Sequence, residues 1–424
     1  MNSLKAALIL FCGFAVFNQV GCTAGSSGSR SLAASVYYPS ILTGNNVVPL
    51  SVGACGVDGY ENEPCISVTI CTPGTSNCQT IPNILVDTGS YGLKIFKSLI
   101  TVPLTQVSVT DGPLASCTGY LDGSGHWGEV VKADVQLGGI KTITSGGISI
   151  VTLNSSYADP SGCSSKPDTT PADAGFNGII GVGSFAEDCS VGSATANDCV
   201  LAPSRGYWAC VNGSCSTTRV PAADQIVNPI ARMPTNYDNG LVIKLPSVPT
   251  TGAGAAYGYL IVGIGTDSNN TGTGLTVFPV ENDATFVTRY NNTDYDYAFI
   301  DSGTNFNGFP QIGGYPATCS GSDFYCPSSQ VSISATMKGG SGGSAVSKAV
   351  SFPVGNMITL ASADPYSMVY GNIAFDSSDL VSQNSPIPFD WGLPFFLGRS
   401  VYVGIKGKTA TVNGSSVSGP FWAF

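Results

Sequence analysis

The chain has 424 residues, of which only 10% are charged, and its 17 Lys and Arg against 27 Asp and Glu give a net charge of −10. This acidic balance argues against nucleic acid as a partner, because phosphate binding requires a basic surface. With 53 Gly and 26 Pro, the composition favours a turn-rich β protein of two or three domains, or one two-lobed unit. The single histidine, His126, argues against zinc and paired-histidine metal sites, so we expect neither a metal nor another cofactor.

The N-terminal segment has the pattern of an export signal. A short cationic start is followed by an apolar run over residues 6–17, which is too short to span a bilayer. Residues 19–22, Gln-Val-Gly-Cys, are similar to a bacterial lipoprotein cleavage box. We therefore predict a signal peptide over residues 1–22, lipidation of Cys22 and a flexible tether over residues 23–45. As a lipoprotein, the protein is predicted to lie at the outer membrane, in the periplasm or at the cell surface. The alternative is cleavage nearby without lipidation, which would give a secreted protein.

The cysteine count suits an oxidising compartment. Apart from Cys12 and Cys22, which lie in or beside the signal, twelve of the 14 cysteines remain and could form six disulfides. Five pairs lie close in sequence and suggest small stapled loops: Cys55/Cys65, Cys71/Cys78, Cys189/Cys199, Cys210/Cys215 and Cys319/Cys326. Cys117/Cys163 would then be the long link, although the sequence leaves other pairings open.

Strand patterns recur along the rest of the chain. Residues 131–137 alternate strictly between apolar and polar, as a half-buried strand does, and residues 148–151 resume strand character. Further strands are predicted over residues 240–245, 259–262 and 401–405, and exposed loops over residues 167–174 and 339–343. The predicted class is all-β with at most a few short helices.

One aspartate-containing motif occurs twice. Residues 84–90, Ile-Leu-Val-Asp-Thr-Gly-Ser, are echoed by residues 298–304, Ala-Phe-Ile-Asp-Ser-Gly-Thr. An apolar-apolar-Gly step follows each copy, ending at Gly181, 94 residues after Asp87, and at Gly398, 97 residues after Asp301. The repeat predicts two lobes of similar plan, over residues 46–265 and 266–424.

The repeated motif can support acid–base chemistry. An apolar strand delivers each Asp into a turn, where the glycine allows a backbone N–H to point at the carboxylate and the hydroxyls can orient it. If a pseudo-two-fold axis brings Asp87 and Asp301 together, the pair holds one shared proton, because two like charges cannot both ionise cheaply. A water between them could then attack a carbonyl, with no histidine or metal required.

The two motifs, the apolar-apolar-Gly steps and the order of parts resemble the pepsin-like aspartic peptidases, and more specifically a bacterial branch of exported lipoproteins with that fold. The resemblance covers nearly the whole chain after residue 45. It implies a bilobal all-β fold and an exported endopeptidase that takes an extended polypeptide between its lobes. We expect a monomer. The site residues it implies are Asp87 and Asp301 as catalytic dyad, Thr88 and Ser302 as interlocking hydroxyls, Gly89 and Gly303 as turn glycines, and Ser90 and Thr304 as outer donors.

Three features depart from that family or stay open. Tyr120, ahead of the strand that ends at Gly139, is the candidate for the substrate-covering flap, yet Lys94 stands where the family has a Trp that holds the flap Tyr. We interpret His126 as a loop-tip contact rather than a catalyst. The alternative functions are a catalytically silent cell-surface binding module and a glycoside hydrolase, which would need its two carboxyls in different surroundings.

Overall fold

The computed structural model describes residues 35–38, 40–56, 59–120, 123–160, 163–164, 166–190, 198–281, 284–343, 345–378 and 389–424. The predicted signal peptide, with Cys22, and residues 23–34 of the predicted tether lie outside these ranges. No helix in the described ranges is long and apolar enough to cross a membrane.

Strands dominate the described residues. Up to residue 262 they are β1 (Val36–Tyr37), β2 (Val47–Gly53), β3 (Glu63–Cys71), β4 (Cys78–Asp87), β5 (Tyr91–Phe96), β6 (Thr105–Gln106), β7 (Ser108–Val109), β8 (Gly112–Gly119), β9 (Ser124–Leu137), β10 (Ile140–Lys141), β11 (Ile148–Leu153), β12 (Lys166–Pro167), β13 (Gly178–Val182), β14 (Ser204–Val211), β15 (Ser214–Thr218), β16 (Gly240–Lys244) and β17 (Ala255–Val262). The later strands are β18 (Val277–Pro279), β19 (Phe286–Tyr290), β20 (Thr293–Ile300), β21 (Asn307–Phe309), β22 (Val331–Gly339), β23 (Val346–Val354), β24 (Ala374–Asp376), β25 (Asp390–Trp391), β26 (Ser400–Gly404), β27 (Thr409–Val412), β28 (Ser415–Ser418) and β29 (Phe421–Ala423).

The α-helices of the described residues are short: α1 (Pro171–Ala174), α2 (Asp198–Leu201), α3 (Met357–Ala363) and α4 (Leu393–Phe396). Helix α1 corrects the predicted exposed loop over residues 167–174. Thr170 and Asp173 form a reciprocal capping box at its start, which stabilises one helical turn where the polar composition indicates only a loop. The all-β prediction is confirmed, and each strand predicted from the sequence lies within or overlaps a strand of the structure.

The same three-strand arrangement holds both motifs. In the large sheet, β13 runs parallel to β4 and antiparallel to β5. In the seven-stranded sheet, β25 runs parallel to β20 and antiparallel to β21. The strand that leads to each motif aspartate, β4 or β20, therefore pairs with a strand from later in the same predicted lobe, β13 or β25. This similarity of plan is what the duplicated sequence predicts.

Strands from both ends of the chain meet in the large sheet. β16 lies between β17 and β26, and β29 lies between β26 and β18. The pairing of β16 with β26 therefore joins the two predicted lobes, whose division at residue 265 stays a prediction.

The strands that lead to the motifs are fully buried at their ends. Ile84, Val86, Ala298 and Ile300 are all inaccessible to solvent and belong to one hydrophobic cluster that extends through both lobes. The Ile and Val side chains each contribute roughly 1.5–3 kcal/mol of burial free energy, so the core fixes the positions at which the aspartates emerge.

Six disulfides connect the described cysteines, and all six match the pairing suggested by the sequence. They are Cys55–Cys65, Cys71–Cys78, Cys117–Cys163, Cys189–Cys199, Cys210–Cys215 and Cys319–Cys326.

The prediction that the second apolar-apolar-Gly step ends at Gly398 is wrong. In the first lobe, Gly181 pairs with Asp87 in the β4–β13 register, as expected for such a step. In the second lobe, Trp391 pairs with Ile300, which places Gly392, not Gly398, beside the motif aspartate. The equivalent of the apolar step is therefore Asp-Trp-Gly at residues 390–392. A search for two apolar residues before a glycine misses it, because its first residue is acidic.

Candidate active site

Hydroxyl groups cross-link the two motif loops. Thr88 Oγ1 donates to the carbonyl of Ile300 (3.0 Å), and Ser302 Oγ donates to the carbonyl of Val86 (2.7 Å). Each hydroxyl also accepts from the other loop, because Ser302 N–H donates to Thr88 Oγ1 (2.9 Å) and Thr88 N–H to Ser302 Oγ (3.2 Å). The four bonds obey a pseudo-two-fold symmetry and join the lobes at the site.

The turn glycines hold their own aspartates and make room for the opposite ones. Gly89 N–H donates to Asp87 Oδ1 (2.7 Å), and Gly303 N–H donates to Asp301 Oδ1 (2.8 Å). A methyl group on Gly89 would lie 2.6 Å from Asp301 Oδ2, and one on Gly303 would lie 2.8 Å from Asp87 Oδ1. Since real carbon atoms do not approach that closely, only glycine allows the two loops to meet.

The outer hydroxyls complete each carboxyl's hydrogen bonds. Ser90 Oγ donates to Asp87 Oδ2, and Thr304 Oγ1 donates to Asp301 Oδ2 at 3.0 Å. Each aspartate is therefore held by one backbone N–H and one hydroxyl. This local symmetry follows from the duplicated sequence, because the second and third residues after each aspartate are Gly and a hydroxyl residue.

The two carboxyl groups interact directly. Burial raises the pKa of Asp301 well above its usual range, and the charge of Asp87, the charge of Asp390 and a hydrogen bond to Asp87 raise it further. Asp87 itself is only 5% exposed. Two carboxyls that interact in this way keep one proton between them, because both cannot ionise cheaply.

Asp390 is a third acid beside this pair. It is 5% exposed in β25, and its Oδ1 atom is buried with no hydrogen-bond partner. Burial raises its pKa well above the usual range, the charge of Asp87 adds to the effect, and a hydrogen bond with Thr304 opposes it. Sequence analysis missed Asp390, because its closeness to the motifs depends on the register between β20 and β25.

Lys94 lies behind the first aspartate. It is 2% exposed, and its Nζ donates to the carbonyl of Tyr91 at 3.1 Å. Burial lowers the pKa of Lys94, while the charges of Asp87 and Asp188 oppose that shift. Burial in turn raises the pKa of Asp188 to about 6, although hydrogen bonds from the Tyr207 hydroxyl at 2.7 and 2.9 Å favour its anion.

The flap candidate Tyr120 lies at the turn of the β8–β9 hairpin and contacts the only histidine. Its hydroxyl is 3.0 Å from His126 Nδ1, and His126 Nε2 is 3.5 Å from Asp168 Oδ2. The loop-tip interpretation of His126 is wrong: the residue lies in β9, is 1% exposed and packs edge-on against Phe96 and Phe176. Strand β9 begins at Ser124, earlier than the alternation in the sequence indicates.

No group of three metal-ligating side chains is present in the part of the chain that the structure describes. The acids, hydroxyls and glycines at the junction of the loops are suited to proton transfer and to holding a small polar reactant between two carboxyls.

A solved structure similar to this chain is the aspartic proteinase from Irpex lacteus, at 16% identity and a TM-score of 0.46, covering 89% of this chain and 96% of that one. No protein with a curated description matches the chain. One family model matches residues 43–424. The chain therefore belongs to the family described as "Protein of unknown function (DUF3443)".

Proposed function

We propose that this protein is an exported aspartic endopeptidase of the pepsin-like type. The observation that carries the proposal is that two cross-linked motif loops bring the interacting carboxyls of Asp87 and Asp301 together at their junction. Two carboxyls that share one proton supply a base and an acid at the same place, which is the requirement for adding water to a peptide carbonyl.

The reaction would use only the dyad and one water. The ionised carboxylate takes a proton from the water while the water oxygen bonds to the carbonyl carbon. The protonated carboxyl donates a hydrogen bond to the carbonyl oxygen as negative charge develops there. When the carbon–nitrogen bond breaks, a proton passes from the dyad to the leaving amine. The peptide is thereby cut into a carboxylic acid and an amine, and the dyad keeps one proton.

The geometry favours this chemistry over glycoside hydrolysis. Glycosidases hold their two carboxyls about 5 Å apart or more, so that a sugar or a water fits between them. Here each turn glycine lies against the opposite carboxyl with no room for a side chain, and each carboxyl has the same set of donors. The silent binding module has the same site without turnover, so it becomes an outcome of the experiment.

Cleavage of a mixed peptide library across acidic to neutral pH tests the proposal. Wild type is expected to cut peptide bonds, whereas Asp87→Asn and Asp301→Asn should lose activity by at least about 100-fold, because each removes half of the acid–base pair. Asp294→Asn is the control, since it neutralises an exposed acid on β20. Equal cleavage by all four proteins would overturn the mechanism. Absence of wild-type cleavage, together with stabilisation by pepstatin, a mimic of the tetrahedral intermediate, would favour the binding module.

We also propose that the protein is exported as a monomer and anchored through Cys22, with no nucleic-acid partner. The six disulfides support an oxidising compartment. Metabolic labelling with an alkynyl fatty acid should mark wild type and not Cys22→Ser. Equal labelling of both would refute the anchor and leave the peptidase proposal standing.

A further inference from the structure

The strand pair beside each motif aspartate contains one acidic or basic residue, but the two residues differ in type and in position. Lys94 and Gly308 are each the seventh residue after their motif aspartate, and they occupy the same place in β5 and β21. Lys94 pairs with Ile179 of β13, and Gly308 pairs with Asp390 of β25. The first lobe therefore has a lysine opposite an aliphatic residue, whereas the second has a glycine opposite an acid.

Lys94 and Asp390 occupy core positions at which apolar side chains are usual. Lys94 is 2% exposed and Asp390 is 5% exposed, while Ile179, at the position equivalent to Asp390, is 4% exposed and apolar. Burial of an ionisable group costs several kcal/mol unless other groups compensate it. Lys94 and Asp390 lie on the paired strands beside the dyad, one in each lobe, so packing alone does not account for them.

The contacts of each residue point to one member of the dyad. Lys94 donates to the carbonyl of Tyr91, directly after the Asp87 turn, and the negative charge of Asp87 favours its protonated form. Asp390 shares the Thr304 hydroxyl with Asp301, because Thr304 donates to Asp301 Oδ2 and also hydrogen-bonds to Asp390. Lys94 thus lies beside one aspartate, and a second acid lies beside the other.

We infer that Lys94 and Asp390 polarise the dyad, so that Asp87 enters the reaction as the carboxylate and Asp301 as the acid. The inference rests on the proposed function and assigns its two roles. Lys94 and Asp390 act through the dyad and are positioning residues. The local donors of the two aspartates are near copies, so the asymmetry has to come from beyond them.

Other ionisable groups face Lys94 and the dyad. The charges decide whether each ionisation step of the dyad moves to higher or to lower pH. Lys94 faces Asp188 as well as Asp87, but burial raises the pKa of Asp188 to about 6, so below that pH Asp188 is mostly protonated and does not compete as an anion for Lys94. A positive charge at Lys94 makes the first ionisation of the dyad easier, and its removal moves that step to higher pH. The acid at Asp390 opposes a second negative charge in the site, and its removal moves the second step to lower pH.

Carbon-13 NMR of protein labelled at the aspartate carboxyl carbons tests this without any substrate. The Asp87→Asn and Asp301→Asn variants assign the two signals. In wild type, the Asp87 carbon should show the larger change in the first ionisation step. We expect Lys94→Met to raise that step, and Asp390→Asn to lower the second step, each by about one pH unit. Lys338→Met and Asp294→Asn remove the same charges from an exposed ion pair and should shift neither step.

The outcomes separate this inference from the proposed function. A larger first change at Asp301, or steps unmoved by both Lys94→Met and Asp390→Asn, would overturn it. If Lys94→Met does not fold, Asp390→Asn alone decides, because it keeps the size of the side chain. A polarised titration without peptide cleavage supports the inference and defeats the peptidase proposal, whereas cleavage with an unpolarised titration does the reverse.

Discussion

Gly89 and Gly303 set how closely the two aspartates can approach. Neither glycine adopts a positive φ angle, so the backbone conformation alone would tolerate another residue. The restriction comes from the opposite carboxyl, which lies within 3 Å of the place where a side chain would begin. At these two positions the glycine is required by the other lobe, not by its own turn.

Gly89→Ala is therefore expected to separate the carboxyls without unfolding the protein. A displacement of about 1 Å at reacting groups costs on the order of 100-fold in rate, so peptide cleavage should fall by at least about that factor. Gly371→Ala is a matched control, because a methyl group there meets only ordinary contacts at 3.7 and 3.8 Å. Cleavage rates and circular dichroism of both variants check the prediction, which an active Gly89→Ala protein would contradict.

At the scale of elements, the cross-link between the motif loops makes the two lobes one structural unit at the site. Thr88 is 3% exposed and Ser302 is fully buried, and each hydroxyl both donates and accepts across the junction. Loss of either side chain leaves buried backbone groups without partners.

Thr88→Val and Ser302→Ala should each lower the free energy of unfolding by roughly 1–3 kcal/mol. The double variant should lose less than the sum, because both hydroxyls hold the same junction and loss of one already loosens the bonds of the other. Denaturant unfolding measures all three. Thr69→Val, which removes an exposed hydroxyl bonded to Thr80, is the control and should change stability by less than about 0.5 kcal/mol. Strictly additive losses would show that the junction is not a coupled network.

The disulfides of the first lobe differ in the length of chain they close. Cys117–Cys163 spans 46 residues from β8, whereas Cys210–Cys215 spans 5 residues across the neighbouring β14–β15 hairpin. By loop-closure entropy, replacing both cysteines by Ala should cost roughly 4 kcal/mol for the long link and about 2 kcal/mol for the short one. Thermal or denaturant unfolding of the two double variants tests the order, and a larger loss for the short link would contradict it.

For the whole molecule, several buried acids hold protons that the unfolded chain releases. Burial raises the pKa of Glu63 from 4.5 to about 8 and that of Asp188 from 3.8 to about 6, and Asp301 and Asp390 are raised as well. An acid with a raised pKa contributes stability that is complete below its unfolded pKa and is lost as the pH rises through its folded pKa. These raised pKa values favour the folded state at acidic pH.

We therefore predict that the melting temperature falls as the pH rises from about 4.5 to 8, the interval between the two pKa values of Glu63. Glu63→Gln should flatten this dependence, by up to roughly 1.4 kcal/mol per pH unit, because its neutral amide cannot release a proton. Thermal unfolding across this range checks the sign. A stability that rises with pH in wild type would refute the prediction.

Sequence reasoning reached the features that depend on local pattern. The two motif loops, the strands and the six disulfides follow from residue types and short spacings. Asp390 and the burial of His126 could not be found that way, because they depend on registers between strands distant in sequence and on aromatic side chains, Phe96 and Phe176, that close over the histidine. Lys94 was visible as a departure from the family, but its role became apparent only beside Asp390.

Strand β29 supplies the hydrogen-bond partners of two other strands. Residues 421–423 insert between β18 and β26, and Trp422 is 1% exposed there. Loss of residues 421–423 would leave the facing backbone N–H and C=O groups of β18 and β26 unpaired. Unpaired strand edges of this kind invite pairing with another chain, so such a truncation is expected to promote aggregation.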